Sequence, residues 1–218
     1  MLSMHTGRPA LNRAVDRFTH LSVLAGAHDA QGISMNFDIE KLIWLFPIAF
    51  ILHDFEELML FEPWLKKNSA GIMSRVKYKI PAFLEKQLQV ITGKSTAQFA
   101  TPIFLIFALT SFSSLLAAEF GSYPLLLFAS SLFFLHGFVH IGQAIFLRKY
   151  VPALITSVLV AIPYGIILFW NLFKAGRIDI FTLSMYFLAA IVLAVPFIMG
   201  MHILGEWIYK KAVHLLIG

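Results

Sequence analysis

Runs of apolar residues that are long enough to cross a bilayer recur five times along the chain. A membrane-spanning helix needs about 20 mostly apolar residues, and such runs lie at 42–61, 99–118, 124–147, 151–173 and 180–208. Polar and basic residues fill the segments between them, of which 62–98 is the longest. The pattern predicts an all-α fold, a polytopic membrane bundle of about five transmembrane helices.

The composition supports this fold class. Hydrophobic residues make up 59% of the chain and charged residues 13%, whereas soluble domains carry about 25% charged residues. Residues 35–218 are predicted to form a single transmembrane helical domain. Residues 1–34 are predicted to form a disordered or interfacial N-terminal tail, and Met35 offers an alternative translation start that the sequence leaves open.

The basic residues predict the orientation in the membrane. Lys and Arg concentrate in 62–98, in 148–149 and in 210–211. Since cytoplasmic loops are rich in Lys and Arg, we expect an N-out/C-in topology. Within the basic cytoplasmic loop, 81–90 is predicted to be an interfacial helix. These loops account for the net charge of +5, so no nucleic acid partner is expected.

Ionisable residues interrupt the first apolar run at His53-Asp54-Phe55-Glu56-Glu57. On a helix, positions i, i+3 and i+4 share a face, so His53, Glu56 and Glu57 are expected to point the same way. One charged residue at the centre of a bilayer costs about 2.5–3.5 kcal/mol. The motif therefore indicates a bound metal, a partner charge or a wet cavity, and hence a functional site.

Two further spans carry a similar spacing. His136 and His140 are four residues apart in the third span, and His202 and Glu206 are four apart in the fifth. At 1.5 Å per residue, His53, His140 and His202 all lie about 12 Å from the inner end of their spans. This common depth predicts one site in the inner leaflet, built from the first, third and fifth spans.

Glycines accompany both of these pairs. Gly137 lies next to His136, while Gly200 and Gly205 flank His202. Because glycine lets helix backbones approach closely, we expect close helix packing at each of them.

The predicted site has three sets of residues. Its predicted metal ligands are His53, Glu57, His136, His140 and His202. Its predicted catalytic residues are Glu56 and Glu57, and residues supporting the ligands from outside are Asp54, Gln143 and Glu206. The chain has no Cys, and a His and carboxylate set suits a divalent metal, with Zn favoured and Fe or Mn as alternatives. Thr156 in the fourth span is interpreted as a backbone-bonded polar residue.

Two sequence blocks together resemble a known family. The stretch from Trp44 to Glu57 resembles the opening motif of the HXXEE family of bacterial integral membrane proteins. A later block resembles that family's second motif, through His136, His140, Tyr150, Pro152 and Thr156. The resemblance spans about residues 40–170. It implies the membrane topology and a site at His53, Glu56, Glu57 and His140, but it implies no reaction, since the family has no established activity.

The chain departs from the family pattern at two positions. Asp54 stands where Asn is common, and Ala153 stands where Gly is common; neither change removes a proposed ligand. A looser similarity links the Glu-Glu pair and the His residues to CAAX-type intramembrane proteases. Their Glu-Glu-x-x-x-Arg pattern is not kept, because Phe61 occupies the Arg position.

Three classes of function remain open at this point. The first is an intramembrane metal-dependent hydrolase that acts on a lipid or a membrane-embedded peptide through metal-activated water. The second is a proton- or metal-ion-coupled transporter, and the third is a non-catalytic membrane protein with a structural metal or haem. Membrane lipids and a lipid-like or transmembrane substrate are the expected partners, with a homo-oligomer as an option. The sequence leaves the substrate, the metal and the oligomeric state open.

Overall fold

A computed structural model describes residues 38–76 and 95–216. Within these ranges the chain forms five helices and no strand: α1 Ile39–Val76, α2 Thr96–Phe120, α3 Pro124–Leu147, α4 Leu154–Lys174 and α5 Ile180–Leu216. The predicted all-helical bundle is confirmed. The predicted tail at 1–34 and the predicted interfacial helix at 81–90 lie outside the described residues.

Helices α2 to α5 are long and apolar enough to cross a membrane by length and composition. The chain is therefore an integral membrane protein. Helix α1 has the length to cross a membrane, but its apolar stretch also contains Asp54, Glu56 and Glu57. It extends past the predicted end at Phe61, since the helix continues through Pro63 to Val76.

Helix α1 is held to its neighbours through its own backbone. Pro47 has no N–H group, so it leaves the carbonyl of Ile43, four residues earlier, without its usual helical donor. Ser114 of α2 supplies that donor, with its Oγ 2.9 Å from the Ile43 oxygen. Tyr164 of α4 likewise donates its hydroxyl to the carbonyl of Leu42 at 3.0 Å. These bonds fix α1 against α2 and α4, and they satisfy backbone carbonyls that the core of a bilayer would leave without a donor.

Aromatic rings fill the space between α1, α3 and α4. Phe46 of α1 is fully buried. Its ring is stacked on Tyr164 at 5.8 Å and tilted against Phe133 of α3 at 5.9 Å. This apolar layer lies two helical turns before His53 on α1 and one turn before His136 on α3, so it positions both helices for the polar groups that follow.

Close helix approach occurs at two of the three predicted glycines. A Cβ on Gly137 would lie 3.2 Å from Ile162 of α4, and one on Gly205 would lie 2.8 Å from the backbone nitrogen of Pro102 in α2. A Cβ on Gly200 would meet nothing within 4 Å. The expectation of tight packing is therefore confirmed at Gly137 and Gly205 and wrong at Gly200, which faces open space.

A carboxylate of α1 lies at the start of α2. Glu62 Oε2 accepts from the backbone nitrogen of Thr96 at 2.9 Å and from its hydroxyl at 2.5 Å, while Lys66 lies 2.6 Å from Oε1. The hydrogen bonds from Lys66 and Thr96 lower the pKa of Glu62 to about 2. Glu62 thus joins the middle of α1 to the N-terminus of α2, where a negative charge is favourable.

Helix α4 begins in an unusual conformation. Ala153, the residue before it, has a left-handed backbone with φ of 63°. After one turn, the segment Ser157–Ala161 is π-helical before the regular helix resumes. Single π-helical turns occur often at functional sites, and this one follows Thr156 directly.

Candidate metal centre

Four ionisable side chains from two helices converge in the bundle. They are His53 and Glu57 of α1 and His136 and His140 of α3. Each offers one ligand atom, and the four atoms all lie within 4.8 Å of one another. The two residues on each helix are four positions apart, so each pair presents one face to the other. We call these four residues the His3Glu group.

The distances within the His3Glu group are short. The Nε2 atoms of His136 and His140 are 2.9 Å apart, and Glu57 Oε2 lies 3.7 Å from the first and 3.9 Å from the second. At a Zn–N distance near 2.05 Å, tetrahedral ligand atoms lie about 3.3 Å apart. The observed spacings bracket that value, so the group can hold a zinc-sized ion with small side-chain movements.

His53 of α1 is the third histidine of the group. Its ring centre is 5.2 Å from that of His140 and 5.4 Å from that of His136. The predicted proximity of His53 and His140 is therefore confirmed. Phe133 contacts His53 edge-on at 5.3 Å, which leaves the imidazole little freedom to turn.

His53 Nε2 supports metal binding most directly. His53 is fully buried, and its Nε2 has no hydrogen-bond partner among the described residues. A buried polar atom without a partner costs free energy on the order of 1–3 kcal/mol. A metal ion held by the His3Glu group would satisfy this nitrogen, and the donor set suits a divalent cation.

Glu56 has a different environment from its neighbour Glu57. Its Oε2 accepts from the backbone nitrogen of Thr156 at 2.7 Å and from the Thr156 hydroxyl at 2.6 Å. Its Oε1 accepts from the backbone nitrogen of Ile155 at 3.3 Å and from the hydroxyl of Tyr150. Three donors from the start of α4 and one from the connection before it thus surround this carboxylate, which caps the N-terminus of α4.

Tyr150 contributes to this cap from the connection between α3 and α4. Burial and the hydrogen bond to Glu56 raise the pKa of Tyr150, so its hydroxyl keeps its proton and remains a donor. The same connection is tied to α1 a second time, because the indole nitrogen of Trp64 donates to the Tyr150 carbonyl at 2.7 Å.

The two sequence motifs of the resemblance therefore meet in space. His53 and Glu57 of the first motif face His136 and His140 of the second, while Glu56 bonds to Tyr150 and Thr156. A family model described as a protein of unknown function with the HXXEE motif matches residues 44–168. The chain belongs to the HXXEE family. It has no significant match among the curated proteins or among the solved structures.

The HXXEE match ends inside α4, so it contains the whole His3Glu group and leaves α5 out. The two α5 residues of the predicted site do not join the group. His202 lies beside the ring of Phe99 at 5.3 Å, and Glu206 pairs with Lys210 at 2.8 Å. The metal role predicted for His202 and the supporting role predicted for Glu206 stay predictions, and the group forms without them.

The two remaining predicted supporting residues differ in burial. Asp54 is buried, and its Oδ2 has no hydrogen-bond partner among the described residues. Gln143 is exposed one turn after His140. Within the described ranges, no hydrogen bond joins Asp54 or Gln143 to a histidine of the His3Glu group, so both supporting roles stay predictions.

Sequence reasoning missed the contacts of Tyr150 and Thr156 with the HXXEE motif. Both residues belong to the second sequence motif of the family, and that membership was the available signal. Their chemistry alone does not reveal the role, because a hydroxyl in a membrane helix most often bonds to its own backbone.

Proposed function

We propose that the protein is a metal-dependent hydrolase embedded in the membrane, with a divalent metal held by the three histidines of the His3Glu group. The carrying observation is the buried Nε2 of His53, which has no hydrogen-bond partner among the described residues, on a side chain that offers a ligand atom within 4.8 Å of three others. Zinc is the favoured metal, because three imidazoles that leave a fourth position for water suit it, and iron or manganese are the alternatives.

The proposed mechanism divides the group into ligands and a base. His53, His136 and His140 would hold the ion, and when bound the metal would lower the pKa of a water molecule to about 7. Glu57 has its Oε2 within 3.9 Å of two of the ligand nitrogens. It is therefore placed to accept the proton of that water. This proposal moves the catalytic role from the Glu56 and Glu57 pair to Glu57 alone, since four donors already bind the Glu56 carboxylate.

The surroundings of the group favour a substrate from the bilayer. The His136 side chain is 31% exposed and that of Glu57 is 14% exposed, whereas His53 and His140 are buried. His136 shares a helical face with the exposed Val139. A lipid ester or amide, or a membrane-embedded peptide, could reach the group from this side. The bacterial cytoplasmic membrane is the proposed location.

Metal content tests whether the His3Glu group binds a metal ion. The detergent-purified full chain, loaded with zinc and desalted, is expected to retain about one ion per chain by plasma mass spectrometry. His140→Ala is expected to lose it, while the exposed His214→Ala should retain it as a matched control. A folded wild type that retains no zinc, iron or manganese would contradict the proposal.

Cobalt substitution tests whether the bound metal has a position open to water, as hydrolysis requires. A hydrolytic site keeps a coordination position open to water, whereas a structural site is closed. The visible absorption of the Co²⁺ form should therefore shift when acetohydroxamate is added. An unchanged spectrum at saturating acetohydroxamate would favour the structural-metal alternative, and zinc uptake into proteoliposomes would favour a transporter.

A further inference from the structure

Thr156 lies between the two halves of the HXXEE motif. Its Oγ1 is 2.6 Å from Glu56 Oε2 and 3.3 Å from His53 Nδ1. Its remaining polar neighbour is the carbonyl oxygen of Ala153, at 3.4 Å. One hydroxyl thus contacts a carboxylate, an imidazole and a backbone carbonyl.

The number of protons fixes the direction of these contacts. A threonine hydroxyl has one proton to donate and lone pairs with which to accept. The carboxylate of Glu56 and the carbonyl of Ala153 can only accept, so the hydroxyl proton goes to one of them. Glu56 Oε2 is closer by 0.8 Å, and hydrogen bonds to a charged acceptor are the stronger kind. The Thr156 oxygen is then left as an acceptor for His53.

We propose that Thr156 is a positioning residue that holds His53 in the tautomer with its proton on Nδ1. A neutral imidazole carries one ring proton, so the other nitrogen, Nε2, then has a free lone pair with which to bind a metal ion. This agrees with Nε2 being buried without a hydrogen-bond partner. The inference rests on the proposed metal site for its purpose, but the tautomer itself is a property of the metal-free chain.

The proposal gives Glu56 a role distinct from that of Glu57. Glu56 acts through Thr156, because it takes the hydroxyl proton and thereby makes the threonine oxygen an acceptor. Metal-ligating histidines commonly donate the N–H of their second ring nitrogen to a hydrogen-bond acceptor, which raises their affinity for the metal. The HXXEE motif would then contain a ligand at His53, a positioning carboxylate at Glu56 and a metal-facing carboxylate at Glu57.

The tautomer of His53 can be measured directly in the metal-free full chain. The chain would be labelled with ¹⁵N-histidine, treated with EDTA and studied in detergent micelles at neutral pH. Long-range proton–nitrogen correlations distinguish the two tautomers, and loss of signals in His53→Gln assigns the residue. The expected result is a proton on Nδ1 of His53; a proton on Nε2 in the wild type would overturn the proposal without any further variant.

Zinc affinity provides the matching functional measurement. Thr156→Val removes the hydroxyl at nearly constant volume, and we expect zinc affinity to fall by about 10–100-fold. Thr156→Ser should restore it, since serine keeps the hydroxyl. Thr110→Val is the control, because Thr110 is also buried but donates within α2, to the carbonyl of Phe107 at 2.8 Å. Equal zinc affinity in wild type and a folded Thr156→Val would overturn the positioning role.

The two measurements separate this inference from the proposed function. A proton on Nδ1 in a chain that binds no metal would leave the tautomer assignment intact and remove the hydrolase proposal. Tight zinc binding by a chain with His53 protonated on Nε2 before loading would support the proposed metal site and remove the tautomer assignment.

Discussion

Helices α1 and α5 carry the same short pattern, a histidine followed four residues later by a glutamate, and only one of them belongs to the His3Glu group. On α1, His53 and Glu57 face the two histidines of α3. On α5, His202 lies beside Phe99, and Glu206 pairs with Lys210 of its own helix. The spacing places two side chains on one face in both cases. The residues that other helices bring to that face decide whether a site forms.

The difference follows from how each helix is held in the bundle. Helix α1 is bonded through its backbone to Ser114 and Tyr164 and through Glu56 to the start of α4. Among the described residues of α5, only Ala190 and Gly205 are buried. A helix that contacts three others can present polar residues to an enclosed centre, whereas most of α5 faces outward.

The largest expected effect compares the two histidines. Because no described residue bonds to His53 Nε2, and because His202 lies outside the group, His53→Ala should weaken zinc binding by more than about 100-fold. His202→Ala should change it by less than about twofold. Competition titration against a zinc-chelating dye measures both. A comparable loss in the two variants would show that α5 contributes a ligand after all and would restore the site predicted from the sequence.

The next effect concerns the carboxylate that caps α4. Glu56→Ala leaves two backbone nitrogens and two hydroxyls without their acceptor, so we expect a loss of about 3 kcal/mol in the free energy of unfolding. Glu56→Gln keeps one acceptor oxygen and should lose less. Reversible unfolding in mixed detergent and SDS micelles measures this difference. An unchanged midpoint in Glu56→Ala would contradict the capping role.

The packing of α5 gives a smaller effect with a built-in control. A methyl on Gly205 would lie within 3 Å of the Pro102 backbone, which cannot move aside as a side chain could. Gly205→Ala is therefore expected to destabilise the protein by about 1–3 kcal/mol. Gly200→Ala should be neutral or slightly stabilising, since its methyl meets nothing.

The zinc affinity of these glycine variants sharpens the comparison of α1 with α5. If the group is independent of α5, then Gly205→Ala should lower stability without changing zinc affinity at temperatures where the protein is folded. A parallel loss of zinc affinity would mean that α5 supports the group through α2, and the two helices would be less independent than their contacts indicate.

The sequence predicted the helices and the four residues of the His3Glu group for the same physical reason. Hydropathy fixes which residues lie in the membrane, and the helical period fixes the face, so His53 and His140 could be brought to one depth. Neither property fixes the order of helices around the bundle. Depth alone therefore also selected His202, whose ring lies beside Phe99 of α2 and whose metal role stays a prediction.

The role of Glu56 could not be predicted from the sequence for a related reason. Glu56 and Glu57 are identical residues at adjacent positions, and helix geometry separates their directions by about 100°. Which direction meets the three histidines and which meets the start of α4 depends on where the connection between α3 and α4 lies. That connection turns at Ala153, whose left-handed backbone no periodic pattern reveals.

The smallest expected effect tests the strain in this connection. A left-handed backbone costs a residue with a Cβ about 1–2 kcal/mol, and glycine avoids this cost. Ala153 is also fully buried, so its methyl contributes about 0.8 kcal/mol by burial. Ala153→Gly should therefore stabilise the protein by at most about 1 kcal/mol, despite the greater freedom of glycine in the unfolded chain. Ala153→Val should destabilise it clearly, because a branched side chain fits the left-handed region poorly. Unfolding in SDS micelles distinguishes the two. If glycine and valine destabilised the protein equally, packing of the Ala153 methyl would decide the stability of this connection. Backbone strain would then play no part in placing Tyr150 and Thr156 against α1.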